Sequence, residues 1–109
     1  MSTSRRQREF LAELGKVTPA LRARSGGRCE ARIRGVCGGA AIHRHHRRPS
    51  RVRRDGKANR LSNLLHLCYF CHSYIHLHQP WSREHGYLLS TESDPDQAEG
   101  VAAGLAPGH

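Results

Sequence analysis

Residues 64–76 read LLHLCYFCHSYIH, and this stretch combines the two patterns from which the fold can be predicted. Residues 64–67 are a short apolar run typical of a buried strand. The residues after them predict a helix of roughly two turns that ends before Pro80. Cys68 and Cys71 stand at the junction as a CxxC pair. The stretch therefore predicts a strand followed by a helix, with two candidate metal ligands where they meet.

The chain as a whole needs such ligands, because 109 residues form one small domain that buries little apolar surface. Cys29 and Cys37 enclose seven residues, Cys68 and Cys71 enclose two, and 30 residues separate the pairs. Two separated pairs suit a tetrahedral structural zinc, which we expect all four thiols to bind. A mixed site of Cys68, Cys71 and a histidine stays open, whereas a redox CxxC usually lies in a longer βαβ unit.

The charge is strongly positive and unevenly distributed along the chain. Lys and Arg number 18 against 9 Asp and Glu, and all 18 precede residue 84, whereas four acids lie in the last 19 residues. A polyanion is the natural partner of such a surface, although the charge alone does not separate DNA from RNA or an acidic protein. No apolar run predicts a signal peptide or a membrane span, so we expect a cytoplasmic protein.

Turn and cap signals divide the chain into three parts. We expect an N-terminal helix in residues 1–18, a main domain in residues 19–90 and a disordered acidic tail in residues 91–109. Ser4 and Gly15 mark the ends of a first short helix. A second short helix is expected from Thr18 and Pro19 to Gly26, a strand near residues 40–45, a surface loop over 47–62 and a final strand in GYLLS at 86–90.

The histidines supply the second candidate metal site. His72 and His76 are four residues apart, so both imidazoles face the same side of the predicted helix. A third ligand is expected from the strand that carries His43, His45 and His46. Because residues two apart share one face of a strand, His43 and His45 should point together and His46 away from them.

In combination, these residues resemble the HNH, or ββα-metal, endonucleases, and among them the short zinc-containing kind carried by phages. The resemblance covers about residues 20–90 and depends on the order of its elements. These are Cys29 and Cys37, the doublet His45-His46, Asn63 in LSNLLHLC, CYFCHSYIH and the ending GYLLS. It implies a small α+β fold of the ββα-metal type with short N-terminal helices and a four-cysteine zinc clamp.

The resemblance also implies a role for each matching residue. His45 would bind a catalytic divalent metal together with His72 and His76, His46 would be the general base, and Asn63 would orient that base. Many members have aspartate in place of His45. Three imidazoles suit Mn, Ni, Co or Zn better than Mg, so the metal stays open among Mg, Mn, Ni and Zn.

The segment 44–60 carries eight basic residues and one acid, Asp55. Phosphate contacts from such a segment give affinity without reading the base sequence. With no separate recognition module, we expect weak specificity or direction by a partner. The candidate nucleic-acid-binding residues are Arg44, Arg47, Arg48, Arg51, Arg53 and Arg54.

The sequence thus predicts a metal-dependent DNA endonuclease or nickase, which is a phosphodiester hydrolase. The resemblance implies products with a 5′ phosphate and a 3′ hydroxyl. The likeness to phage proteins implies a place in the host-cell cytoplasm and a role in genome packaging beside a terminase, with homing or restriction equally compatible. The alternative is a non-catalytic zinc-finger protein that binds nucleic acid. His43 has no assigned role and is the substitute candidate for His45.

Overall fold

The computed structural model describes residues 4–49 and 55–97, which form a two-stranded antiparallel sheet with helices against it. Strand β1 pairs with strand β2 so that His43 lies opposite Leu67 and His46 opposite Leu64. The small α+β class predicted from the sequence is confirmed. In chain order the elements are helix α1 (Arg5–Ser25), β1 (His43–His46), a 3-10 turn (Leu61–Asn63), β2 (Leu64–Leu67), helix α2 (Tyr69–Leu77) and helix α3 (Gln79–Glu84).

Helix α1 is continuous, so the prediction of two short N-terminal helices is wrong. The caps at its ends are as expected: the Ser4 hydroxyl accepts a hydrogen bond from the Gln7 N–H, and Gly26 follows in the left-handed conformation. Pro19 lies inside the helix, and the Thr18 hydroxyl donates to the Leu14 carbonyl at 2.7 Å instead of capping a new helix. The burial of α1 residues on both sides of Pro19 outweighs the low helix propensity of this proline.

The sheet separates two small apolar clusters. On one face, Leu64 packs with Leu14 and Leu21 of α1, and all three are buried. On the other face, Leu65 and Leu67 pack with Ile75 of α2 and with the cysteines. Because adjacent residues of a strand point to opposite faces, the four-residue strand β2 contributes to both clusters.

The region after α2 is partly as predicted. Helix α2 ends at Leu77, before Pro80 as expected, and Pro80 then lies in the first turn of α3, where its missing N–H costs nothing. The predicted strand over residues 86–90 is wrong, since Leu89 makes one main-chain bond, from its N–H to the Arg47 carbonyl at 2.7 Å. One such bond ties the segment to the end of β1 without extending the sheet.

Residues 91–97, the first part of the predicted disordered tail, fold as turns against the 57–62 segment. Pro95 is fully buried there. Residues 98–109 of the predicted tail lie outside the described residues. Within the part of the chain that the structure describes, no helix has the length and apolar character needed to cross a membrane.

Candidate metal centre

The four cysteines meet between the 29–37 segment and the start of α2. Their sulfur atoms all lie within 4.8 Å of one another, and the Cys37 and Cys68 sulfurs are 4.0 Å apart. Two thiolates on one tetrahedral zinc would be about 3.8 Å apart, given the usual zinc–sulfur bond. None of the four is in a disulfide. The donor set and its spacing therefore fit a structural metal such as zinc, as the sequence predicted.

Main-chain N–H groups around these sulfurs favour the thiolate form. Gly38 and Cys71 donate to the Cys68 sulfur at 3.3 Å, and Gly39 donates to Cys37 at the same distance. Burial alone raises the pKa of the Cys68 thiol, but these N–H bonds reverse the effect and lower it to about 6. Burial raises the pKa of Cys29 and Cys71. A cation bound between the sulfurs would stabilise the thiolates of Cys29 and Cys71 against this effect of burial.

Three histidines meet on the α2 side of the sheet. His45 of β1 faces His72 and His76 of α2, and one ring nitrogen from each lies within 4.8 Å of the other two. The Nε2 atoms of His72 and His76 are 3.1 Å apart, close to the roughly 3.3 Å expected for two imidazoles on one zinc. The cluster brings together His72 and His76, which the sequence predicted as a ligand pair, and His45, which the resemblance implied as the third ligand.

The neutral state of the imidazoles in this cluster favours binding of a cation. Burial lowers the pKa of His45 to about 3, with a smaller opposing effect from the Tyr87 carbonyl and further lowering by His72 and His76. Burial, with His76 and His43 nearby, lowers the pKa of His72 to about 4. Both rings are thus neutral near pH 7. Since the Tyr87 carbonyl at 2.7 Å can only accept, His45 Nε2 carries the proton and Nδ1 keeps a lone pair.

His43 contacts the same cluster from the neighbouring position on its face of β1. Its Nδ1 lies 3.0 Å from His72 Nδ1, while the other ring nitrogen of His72 faces His76. If His72 binds a metal through Nε2, its Nδ1 carries the proton and donates it to His43. In that case His43 would be the hydrogen-bond partner that orients His72 toward the metal, a role for a residue that the sequence left unassigned.

We expect His43→Ala to weaken binding of Mn²⁺ or Ni²⁺ at the histidine cluster by roughly 10- to 100-fold, because His72 loses the group that fixes its ring. Calorimetric titration of protein that retains its structural zinc measures this effect. His43→Gln keeps an acceptor and should recover part of the affinity, while His85→Ala, at an exposed histidine of the 85–86 turn, should leave it unchanged. Equal affinity in His43→Ala and the unaltered protein would contradict this role.

His46 points to the opposite face of β1, as the strand alternation predicts. Its ring lies 5.5 Å from the ring of Phe10 in α1, and its Nε2 is 2.9 Å from Asn59 Oδ1. The amide of Asn59 is fixed in turn, because its nitrogen donates to the Phe10 carbonyl at 3.0 Å. His46 Nε2 is therefore the protonated nitrogen. Burial lowers the pKa of His46, with Asn59 opposing and Arg44 adding to the effect.

Asn63 is fully buried and joins the two ends of the loop between β1 and β2. Its oxygen accepts from the Arg48 N–H at 2.8 Å. Its nitrogen donates to the Ala58 carbonyl at 2.9 Å and to the Arg48 carbonyl at 3.3 Å. These bonds fix the chain directly after His46 and the turn that carries Asn59.

The arginines of this region divide into three groups. Arg44 is exposed and donates to the Thr18 hydroxyl at 3.0 Å. Arg47 and Arg48, expected to contact phosphate, are instead fully buried. The Arg47 guanidinium donates to the carbonyls of Gly86 and Ser62, and Arg48 makes a bidentate pair with Asp55. The third group, Arg51, Arg53 and Arg54, lies outside the described residues.

Sequence reasoning missed three partners of the histidines. Asn59 in KANRLS lies in a polar run where nothing distinguishes it from a surface residue. The Tyr87 carbonyl is a main-chain group and gives no sequence signal. The partnership of His43 with His72 could have been found, since both were already placed on facing elements.

No family model matches this chain, and neither the curated proteins nor the solved structures include a significant match. The functional assignment therefore depends on the geometry and chemistry of the residues themselves.

Proposed function

We propose that this protein is a metal-dependent DNA endonuclease or nickase of the HNH, or ββα-metal, type. The observation that carries the proposal is the division of adjacent histidines across one strand. His45 joins His72 and His76 on one face, and His46 is held by Asn59 on the other. A candidate metal site and a candidate base are thus supplied by consecutive residues.

His46 has the properties of a general base. Its Nε2 donates to Asn59, so Nδ1 carries the lone pair, and its lowered pKa keeps the ring neutral near pH 7. In the proposed reaction, Nδ1 takes a proton from water, whose oxygen attacks phosphorus. The bond from phosphorus to the 3′ oxygen breaks, and that oxygen takes a proton from solvent. The products are a 5′ phosphate and a 3′ hydroxyl.

The histidine cluster would hold the catalytic metal through His45, His72 and His76. A divalent ion there would supply charge stabilisation to the phosphoryl group and the departing oxygen. The chain's own part is to fix the ligands: the Tyr87 carbonyl orients His45, and His43 orients His72. Three imidazoles favour Mn²⁺, Ni²⁺, Co²⁺ or Zn²⁺ over Mg²⁺.

DNA is the proposed substrate because the chain carries twice as many Lys and Arg residues as Asp and Glu residues. The net charge of +9 favours a polyanion, and Arg44 is exposed on the same face of β1 as His46. Because Arg47 and Arg48 are hydrogen-bonded inside the protein, we expect Arg44 and the exposed basic residues of other segments to contact phosphate.

The test is cleavage of supercoiled plasmid by zinc-loaded protein with added Mg²⁺, Mn²⁺, Ni²⁺ or Zn²⁺. We expect nicked or linear product with at least one transition metal, and loss of most of that activity in His72→Ala, because the metal site loses a ligand. His85→Ala, which removes an exposed histidine outside the cluster, should cut normally. A protein that binds the plasmid but leaves it intact with every metal would instead be a non-catalytic zinc-finger protein.

A further inference from the structure

Two carboxylates of the 91–97 segment contact a cluster of two basic side chains and a hydroxyl. Lys57 Nζ lies 2.5 Å from Asp94 Oδ2 and 3.8 Å from Asp96 Oδ2. Asp96 also pairs with the Arg60 guanidinium and accepts from the Ser62 hydroxyl at 2.5 Å. Two cations and one hydroxyl of the 57–62 segment thus converge on two neighbouring acids.

The donors in this cluster are those that bind phosphate. A guanidinium, an ammonium and a hydroxyl bond phosphate oxygens as readily as carboxylate oxygens, so Asp94 and Asp96 have the chemistry of a phosphate mimic. Hydrogen bonds from Lys57 and Ser62 lower the pKa of Asp94 and Asp96, respectively, so both are ionised near pH 7. An anion therefore occupies the cluster in the free protein.

The cluster lies beside the proposed base. Asn59, which accepts the hydrogen bond from His46, stands between Lys57 and Arg60 on the same turn. An open cleft of about 560 Å³ separates this turn from α1, and its lining includes Asn59, Arg60, Ser62 and Asp96. A strand of nucleic acid at His46 would extend along this turn.

We propose that Lys57, Arg60 and Ser62 form a phosphate-binding subsite for the nucleic-acid backbone, and that Asp94 and Asp96 fill it until the substrate displaces them. The identity of the ligand rests on the proposed function. The ion pairs involved are partly exposed, with 51% of the Arg60 side chain and 34% of the Asp96 side chain accessible. Pairs of this kind contribute little to stability, so exchanging carboxylate for phosphate costs little.

The first measurement is the affinity for a fluorescein-labelled DNA duplex, followed by anisotropy at low salt without added divalent metal. Asp94→Asn with Asp96→Asn should bind roughly tenfold more tightly than the unaltered protein, because the competing carboxylates are gone. The control, Glu9→Gln with Glu84→Gln, removes two exposed acids elsewhere and raises the net charge equally. Equal tightening in both double variants would overturn the proposal.

The second measurement tests the cations in both backgrounds. Lys57→Ala with Arg60→Ala should weaken binding more in the Asp94→Asn, Asp96→Asn background than in the unaltered protein, where the cations are already occupied. In that background the slope of log affinity against log salt should become shallower by about 1.8, or about 0.9 for each lost phosphate contact. An equal loss in both backgrounds, or an unchanged slope, would contradict the subsite.

Thermal unfolding separates the subsite from a purely structural strap. If Asp94→Asn with Asp96→Asn unfolds many degrees lower and binds no tighter, the acids hold the fold together and the proposal is wrong. The binding measurements do not depend on cleavage. If the acid variant binds DNA more tightly but the protein leaves plasmid intact in the cleavage assay, the subsite is kept and the nuclease is rejected. Cleavage with unchanged affinities would keep the nuclease and reject the subsite.

Discussion

Cys71→Ser is expected to lose its bound zinc and most of its folded structure. Cys71 is fully buried, and cysteines are three of the eight buried residues described in the apolar cluster between β2 and α2. Structural zinc contributes about 10–16 kcal/mol of apparent binding free energy in small domains, and whole domains are stable by only about 5–15 kcal/mol. Removing one ligand therefore removes more stabilisation than this small core can replace.

Zinc content by mass spectrometry and thermal unfolding by circular dichroism measure this outcome. Leu77→Ser is the matched control, because it introduces serine at a largely exposed position of the same helix, where 79% of the residue is accessible. The control should keep its zinc and its unfolding midpoint. A Cys71→Ser protein with full zinc content and an unchanged midpoint would show that the cysteine cluster is not a structural metal site.

His46→Ala is expected to reduce plasmid cleavage by about 10²- to 10⁴-fold, the usual contribution of a general base. The residue is only partly buried and its Nε2 donates to Asn59, which belongs to neither the cysteine nor the histidine cluster, so zinc content and unfolding should change little. Initial cleavage rates at saturating metal isolate the chemical step from metal binding. The expected loss is therefore in turnover and not in metal affinity.

Asn59→Ala provides the graded comparison for that result. It leaves the imidazole of His46 in place but removes the acceptor that fixes its protonated nitrogen, so we expect a smaller loss than in His46→Ala. If His46→Ala cleaves as fast as the unaltered protein, His46 is not the base and the mechanism fails. Full activity in Asn59→Ala alone would remove only the orienting role of the amide.

Patterns local in sequence predicted the central part of this molecule well. The CxxC spacing, the helix ending before Pro80 and the alternation of His45 and His46 across β1 each depend on neighbouring residues, and each agrees with the structure. The paired cysteines 30 residues apart also meet, because tetrahedral metal chemistry gives separated thiols a reason to converge.

Features set by tertiary contacts were not predictable in the same way. Gly15 and Pro19 are poor helix formers, and only the packing of α1 against Leu64 explains why the helix continues past them. Arg47 and Arg48 look like surface cations until the carbonyls of distant segments and Asp55 surround them. Long-range partners of this kind leave no signal in the local pattern of charge and hydrophobicity.

The antiparallel register of His43–His46 with Leu64–Leu67 determines which face of the sheet each histidine of β1 points to. Inserting one residue ahead of His45 would turn His45 toward α1 and His46 toward α2, exchanging their environments while leaving every side chain present. Single substitutions can therefore adjust this strand one residue at a time. A one-residue insertion or deletion would instead change the environments of His45 and His46 at the same time.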